Sequence, residues 1–386
     1  MSSTYINRLV LENLQEKLQP NKVIIIYGAR RTGKTILIKK MLSSWPKKEY
    51  LLLNGEDSDA RQLLEKQSIA NYKQLLAGKS LLVIDEAQHI PTIGEKLKLM
   101  VDEIPGIHII ATGSAVFDLS YKLGEPLVGR KYTFRLHPLA QIELQQHEDL
   151  LETTANLEQR LIYGAYPELW HLKNVKQKQD YLLELIDSTL LKDILAYEGI
   201  RKADKIFNLL RLLAFQVGKE VSIHELANSL SGITRNTVEQ YLDLLTKVFI
   251  IYPLGGFSGN LRKEVTKSKR WYFYDNGVRN AIIRNFNIIT MRNDVGELWE
   301  NYLATERIKY QDYKGSITKN YFWRTYDQQE LDWVEQQQDE LNAYEFKWRS
   351  KKHKVPAAWG KAYPHANFKV ITPNNYLDWI TGEANQ

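Results

Sequence analysis

Apolar runs and amphipathic stretches alternate along residues 20 to 145. Val23–Tyr27, Tyr50–Asn54, Ser80–Ile84 and Ile107–Thr112 are near-continuous apolar runs of strand length, and Lys131–Leu136 reads as a fifth strand. Such runs mark parallel strands buried on both faces. Helix-like stretches such as Ile36–Leu42 fall between them, which predicts an α/β domain on a parallel sheet. The polar stretch Gln145–Asn156 marks its end. Residues 157 to 250 read as helical. Tyr181–Ala196 carries apolar residues at 182, 183, 185, 186, 190, 191, 194 and 195, a broad helical face. Three helices follow: Ile206–Gln216, Ile223–Leu230, and one from Thr234 to about Lys247. Phe249–Tyr252 then reads as a short strand. This is the pattern of a winged helix-turn-helix, with Gly232 in the turn and Thr234 as cap. A Gly- and Lys-rich segment, Gly255–Arg270, and a polar joint, Arg292–Asp294, flank an aromatic run at Trp271–Asp275. A helix over Val295–Ile308 precedes strands at 321–325, 330–334 and 343–348. The expected division is 1–145, 146–270 and 271–386.

Composition narrows the function classes. The net charge of +6 and pI near 9.0 lean mildly toward an anionic partner, because 46 acidic residues offset 52 basic ones. There is no cysteine, which excludes disulfides, thiolate metal sites and cysteine nucleophiles and is compatible with a cytoplasmic setting. No apolar stretch approaches the roughly 18 residues that span a bilayer, so no membrane partner is expected. Met1–Leu18 reads as an amphipathic helix and not a secretory signal. Seven of the nine tryptophans lie at or beyond position 271, which predicts a small core built from large side chains.

The sharpest chemistry is at Gly28-Ala29-Arg30-Arg31-Thr32-Gly33-Lys34-Thr35, between a strand-like and a helix-like run. The pattern is that of a phosphate-binding loop. Gly28 and Gly33 let the backbone curl so that successive N–H groups face phosphate oxygens. The following helix adds its unpaired N–H groups and positive dipole end. Lys34 can reach the β- and γ-phosphates, and the Thr35 hydroxyl can hold Mg²⁺. ATP and Mg²⁺ are therefore the expected cofactors. Arg30 and Arg31 are placed with the nucleotide, although contact with another domain or with solvent stays open. The apolar run Ser80–Ile84 leads into Asp85-Glu86, at the strand tip where ligands bind in such sheets. Asp85 is expected in the Mg²⁺ shell and Glu86 as the base for an attacking water. Thr112 is expected to sense the γ-phosphate or the water, and Ser114 to cap a following helix.

Nearly end to end, the chain resembles a prokaryotic family of AAA+-like ATPases with a C-terminal DUF4143-type domain. The resemblance rests on the phosphate loop, on Leu82-Val-Ile-Asp-Glu-Ala-Gln, on Thr112-Gly-Ser, and on Gly129-Arg130 with Leu136-His-Pro-Leu. It continues through Gly164-Ala-Tyr-Pro-Glu, Tyr272-Phe-Tyr-Asp-Asn-Gly-Val-Arg-Asn and Gly296-Glu-Leu-Trp-Glu-Asn-Tyr. It implies an ATPase core, a winged-helix segment and a C-terminal α/β domain similar to PD-(D/E)XK nucleases. It also suggests that Arg130 offsets phosphoryl charge, from a sensor position or from a neighbouring subunit of a homo-oligomer. In a nuclease of that kind Asp332 and Glu345, with Glu300 from a helix, would hold a divalent cation, and Lys347 would position water. Glu297 and Glu330 are alternatives. A basic run, Lys347 to Lys354, suits phosphate-backbone contact. In the third winged helix Arg235, Asn236 and Gln240 favour DNA, whereas Glu239 and Asp243 repel phosphate. The expected function is an ATP hydrolase acting on or near DNA. The alternative is a nucleotide-controlled switch that binds a protein partner through an inactive nuclease-like domain.

Overall fold

The computed structural model describes residues 5–114, 127–190, 203–258, 269–349 and 353–382. Its contacts divide the chain into two compact units, Met1–Pro138 with Lys247–Phe249, and Leu139–Thr246 with Ile250–Gln386.

In the first unit, α1 (Val10–Lys17) precedes β1 (Lys22–Tyr27), α2 (Lys34–Leu42), β2 (Tyr50–Asn54), α3 (Ser58–Glu65), α4 (Ile69–Leu75), β3 (Leu81–Asp85), α5 (Ile93–Glu103), β4 (His108–Gly113) and β5 (Lys131–Arg135). The five strands are parallel, in the order β2-β3-β4-β1-β5. Val23–Ile26, Leu81–Ile84 and Ile109–Ala111 are fully buried, as strands covered on both faces require. The P-loop, Asp85 and Thr112 all fall at the carboxyl ends of neighbouring strands, where parallel sheets place ligands. The N-terminal helix is shorter than its pattern suggested: it begins at Val10, residues 5–8 are not helical, and the first four residues lie outside the described ones.

The second unit opens with α6 (Gln141–Leu144), α7 (Leu150–Tyr163), α8 (Pro167–His171) and α9 (Val175–Glu184), which runs into a π-helical turn at Leu185–Leu190. The rest of the helical face expected to Ala196 lies outside the described residues. The polar stretch Gln145–Asn156 is helical from Leu150 onward. Asp149 and Glu152 form a reciprocal cap that starts α7 within it. Next come α10 (Ala203–Phe215), β6 (Glu220–Val221), α11 (Ile223–Ser229), α12 (Arg235–Lys247), β7 (Ile251–Gly256), β8 (Lys269–Phe273) and α13 (Asn276–Ile282). Gly232 turns at φ +74°, and Thr234 Oγ1 accepts from Thr237 N at 3.2 Å to cap α12. The following strand starts at Ile251, two residues later than the pattern suggested, because Phe249 adopts φ +60° and kinks the chain.

The unit ends with α14 (Val295–Lys314), β9 (Lys319–Arg324), β10 (Glu330–Gln337), β11 (Glu340–Phe346), α15 (Ala357–Ala362), β12 (Asn367–Ile371) and α16 (Tyr376–Thr381). β7 and β8, the wing strands, do not form a separate module. They join one seven-stranded sheet in the order β12-β11-β10-β9-β7-β8-β6, with β7 parallel to β9. Phe257, just after β7, packs with Trp323, Leu331, Val334, Ala343 and Trp359. Trp299, Trp333 and Trp359 are almost completely buried, so the aromatic-rich end is a core and not a surface platform.

Candidate functional site

The loop after β1 is built around two glycines. A Cβ on Gly28 would lie 2.2 Å from the Leu136 carbonyl oxygen, and Gly33 holds φ +97° as it enters α2. Lys34 is buried, and its Nζ donates to the carbonyls of Gly28 at 2.9 Å and Ala29 at 3.0 Å. The Thr32 hydroxyl donates back to Ala29 O at 2.8 Å. Arg31 sits at φ +65° with its side chain exposed, and Arg30 is half-buried.

Asp85 ties three elements together at the strand tips. Its Oδ2 accepts from Thr35 Oγ1 at 2.7 Å, and its Oδ1 accepts from Thr112 Oγ1. The Thr112 hydroxyl also accepts from the Glu86 backbone N–H at 3.2 Å. Glu86 has φ +50°, and its carboxylate accepts from Gln88 Nε2 at 2.6 Å. The same Gln88 nitrogen lies 3.2 Å from Ser114 Oγ, so Ser114 joins the Glu86 neighbourhood. The helix it was expected to cap lies outside the described residues. The sequence-predicted set Lys34, Thr35, Asp85, Glu86 and Thr112 is thus one constellation. It suits a nucleotide with its cation: Lys34 supplies charge inside a ring of backbone groups, and Thr35 and Asp85 offer adjacent hard oxygens.

Two arginines depart from expectation. Arg130 lies just before β5, whose register pairs Lys131 with Val23 and Arg135 with Tyr27. It therefore stands at the opposite end of the sheet from the loop, ~20 Å along six residues of strand. There its Nε donates to Asp102 at 2.6 Å. A sensor role within its own chain is thereby corrected, because the chain direction of β5 carries the side chain away from the phosphates. The arginine brought level with the loop is Arg135. Sequence reading also missed Arg8, which is buried and donates to Thr32 O at 2.8 Å and His137 O at 2.6 Å. It braces the loop from a segment with no motif, so only the lone charge in an apolar stretch before α1 signals it.

In the second unit, β10 and β11 pair antiparallel with Trp333 opposite Tyr344, which sets Asp332 and Glu345 at one end. The pairing of β10 with β9 slips between Leu331 and Val334, an irregularity at Asp332. Both carboxylates are buried, and Phe346 N donates to Asp332 Oδ2 at 2.8 Å. Lys347 Nζ donates to Glu345 Oε1 at 2.5 Å, whereas Glu345 Oε2 is buried with no hydrogen-bond partner. Glu300 on α14 accepts from Tyr272 OH at 2.6 Å. Burial, then Asp332, pushes Glu300 up to about 8 and Glu345 up to about 7, and burial raises Asp332 as well.

The cation among these acids is Arg270 of β8, only 3% exposed. Its Nη1 lies 3.5 Å from Glu300 Oε1 and 3.6 Å from Asp332 Oδ1, and its Nη2 donates to Glu330 Oε2 at 2.8 Å. Its guanidinium also faces the Phe322 ring at 4.7 Å. Among the described residues no group of three or more His, Asp or Glu side chains can hold a metal ion. The metal shell expected of Glu300, Asp332 and Glu345 does not fit this arrangement, because Arg270 lies between the first two and Lys347 holds the third. Lys351 and Lys352 of the basic run lie outside the described residues. Glu300, Glu330 and Asp332 open on a cavity of about 530 Å³, lined also by Lys219, Glu220, Arg324 and Lys347.

Loop, strand order and acidic strand tip together define an AAA-type ATPase core. Residues 20–145 match the AAA domain family, and 295–376 match DUF4143, a domain of unknown function. The chain carries an AAA domain followed by a DUF4143 domain. Residues 154–288 between them match a further domain of unknown function, DUF8612. The chain is similar to the uncharacterized protein MJ1544 of Methanocaldococcus jannaschii, 25% identical over 78% of this chain and 69% of that protein. It is also similar to the uncharacterized protein Rv2008c of Mycobacterium tuberculosis, 26% identical over 83% of this chain and 68% of that protein. Among solved structures, a STAND protein with a tetratricopeptide repeat sensor, PH0952 from Pyrococcus horikoshii, is 12% identical with a TM-score of 0.31. That match covers 82% of this chain and 48% of the other, so this chain spans about half its length. Drosophila ORC bound to DNA is 16% identical with a TM-score of 0.29, over 72% of this chain and 95% of that one. No helix among the described residues is long and apolar enough to cross a membrane.

Proposed function

We propose that this chain is a Mg²⁺-dependent ATPase that acts on or near DNA. The observation that carries the ATPase reading is the Thr35–Asp85–Thr112 bridge directly beside Lys34. Lys34 would meet the β- and γ-phosphates, and Thr35 and Asp85 would hold Mg²⁺, which supplies charge neutralisation on the phosphates. Gly28 to Gly33 would present backbone N–H groups to the same phosphates. Glu86 would accept the proton of the attacking water, while Thr112 fixes the Glu86 backbone. Arg130, half-buried at the far end of its own sheet, would serve only a neighbouring subunit. The DNA reading draws support from the exposed Arg235, Asn236 and Gln240 on α12 and from the basic balance of the chain. The lack of cysteine fits a cytoplasmic setting.

A second reading is favoured by Arg270. A C-terminal domain whose acids already hold a guanidinium suits a nucleotide-controlled switch that docks a protein partner without cutting nucleic acid. ATP turnover with and without several DNA forms tests both readings. Turnover that vanishes in Lys34→Ala and rises with DNA supports the first. Turnover indifferent to every DNA form moves the conclusion to the switch. Wild-type turnover in Lys34→Ala overturns the ATPase assignment itself.

A further inference from the structure

We propose that Arg270 is the resident cation of the C-terminal acidic cluster, standing where a divalent metal would and closing the cluster to Mg²⁺ and Mn²⁺. The inference goes beyond the ATPase reading and does not depend on it.

The geometry gives three reasons. The guanidinium lies within 3.6 Å of carboxylates from two different elements, Glu300 on α14 and Asp332 on β10, and bonds a third, Glu330. It thus gathers oxygen ligands as a metal does, two of them from the side chains expected to hold one. Second, it is held there. Arg270 is a strand residue, paired with Glu220 on β6 and with Leu254 on β7, and its planar group lies over Phe322. A side chain fixed by its backbone on both sides does not leave to admit an ion. Third, the remaining positive charge is also committed. Lys347, the residue a nuclease would aim at water, is bonded to Glu345 at 2.5 Å, and His353 lies 3.5 Å from the same oxygen.

The charges facing the cluster come from several elements: Arg270 from β8, Lys219 and Glu220 at β6, Glu297 and Glu300 from α14, Arg324 from β9, Glu330 and Asp332 from β10, and Glu345 with Lys347 and His353 at and beyond the end of β11. A buried carboxylate group survives only when its charge is matched or protonated. Here the matching is done by arginine, and arginine cannot be deprotonated to make room for a metal. Glu345 Oε2 is buried and without a hydrogen-bond partner. It marks where the cluster would accept an ion once Arg270 is gone.

The test uses the full chain without nucleotide and counts bound Mn²⁺ by the loss of its free-ion spin-resonance signal. Wild type and Asp332→Asn are expected to bind Mn²⁺ equally, since Asp332 already serves Arg270. Arg270→Gln is expected to gain one Mn²⁺ per chain, at least about tenfold tighter than any wild-type binding, because two buried carboxylates lose their counter-charge. Adding Asp332→Asn to that variant should remove the gain. Arg270→Lys should behave as wild type. A wild-type Mn²⁺ site lost in Asp332→Asn overturns the proposal, and this arm needs no Arg270 variant to fold. So does an Arg270→Gln protein with native circular dichroism that gains no Mn²⁺. Because ATP is absent throughout, neither result bears on whether the chain is an ATPase.

Discussion

Asp85→Asn separates a metal-shell role from a purely structural one. Asp85 is 7% exposed and accepts from two hydroxyls, Thr35 and Thr112. Asparagine keeps the shape. Its oxygen can accept from one hydroxyl, and its NH₂ can donate to the other once that hydroxyl rotates. Two hydrogen bonds to a charged group, each contributing about 1.5–3 kcal/mol, become two neutral ones of about 0.5–1.5 kcal/mol. Some of that difference, of order 2 kcal/mol, is offset because a carboxylate no longer has to be buried, so the net cost is about 1 kcal/mol. The protein should therefore stay folded. The lost charge acts instead on the cation. Titration calorimetry with ATP in Mg²⁺ and in EDTA is the assay, at a temperature where turnover is negligible. Wild type should tighten by at least about tenfold with Mg²⁺, which corresponds to ~1.4 kcal/mol. Asp85→Asn should show the EDTA affinity in both buffers. An asparagine variant that tightens with Mg²⁺ as much as wild type would leave Asp85 as a strut for two hydroxyls and refute the metal-shell argument.

Glu86→Gln should keep ATP affinity, while single-turnover hydrolysis falls about 100-fold or more, because an amide accepts no proton; an unchanged rate would assign the base elsewhere. Asp275 gives a pH dependence of known sign. Burial pushes its carboxyl up to about 6 although it accepts from Ala165 N at 2.7 Å and Val278 N at 3.1 Å. The folded state then binds the proton more tightly than the unfolded one. Its contribution to stability is greatest below pH ~4 and declines by on the order of 2–3 kcal/mol as pH rises to ~6. Urea melts across that range should show the decline in wild type and a flatter profile in Asp275→Asn; equal slopes would place the titrating group elsewhere.

The nucleotide constellation was legible because its order is local. Strand, loop and helix follow one another within residues 22–42, and the acidic strand tip lies on a neighbouring strand whose apolar run announces it. What long-range contact decides was not legible. Arg8 reaches Thr32 and His137 across 24 and 129 residues. Arg130 carries a motif that suggests the phosphate site, yet parallel register with β1 fixes it at the other end. In the C-terminal part the family resemblance, not the periodicity, named Asp332 together with Glu345, and the register of β10 with β11 sets the two at one end. The sequence offered Arg270 only as the last residue of a Gly- and Lys-rich segment. Its role depends on β8 lying beside β7 and on β7 pairing with β9, a sheet order that no periodicity encodes.

That sheet order governs how the molecule can be cut. A piece that begins at Arg292–Asp294 looks like a natural unit in the sequence. It would lose β7, and with it the partner that covers β9 at Tyr321 and Phe322. An uncovered strand bearing Phe322 and Trp323 is a template for pairing with other copies. The same cut removes Arg270 and leaves Glu300 and Asp332 without their counter-charge, while Lys347 stays bonded to Glu345. Such a fragment would tend to self-associate and to bind divalent ions that the intact chain does not admit, so an excised C-terminal piece would display a chemistry created by its own truncation.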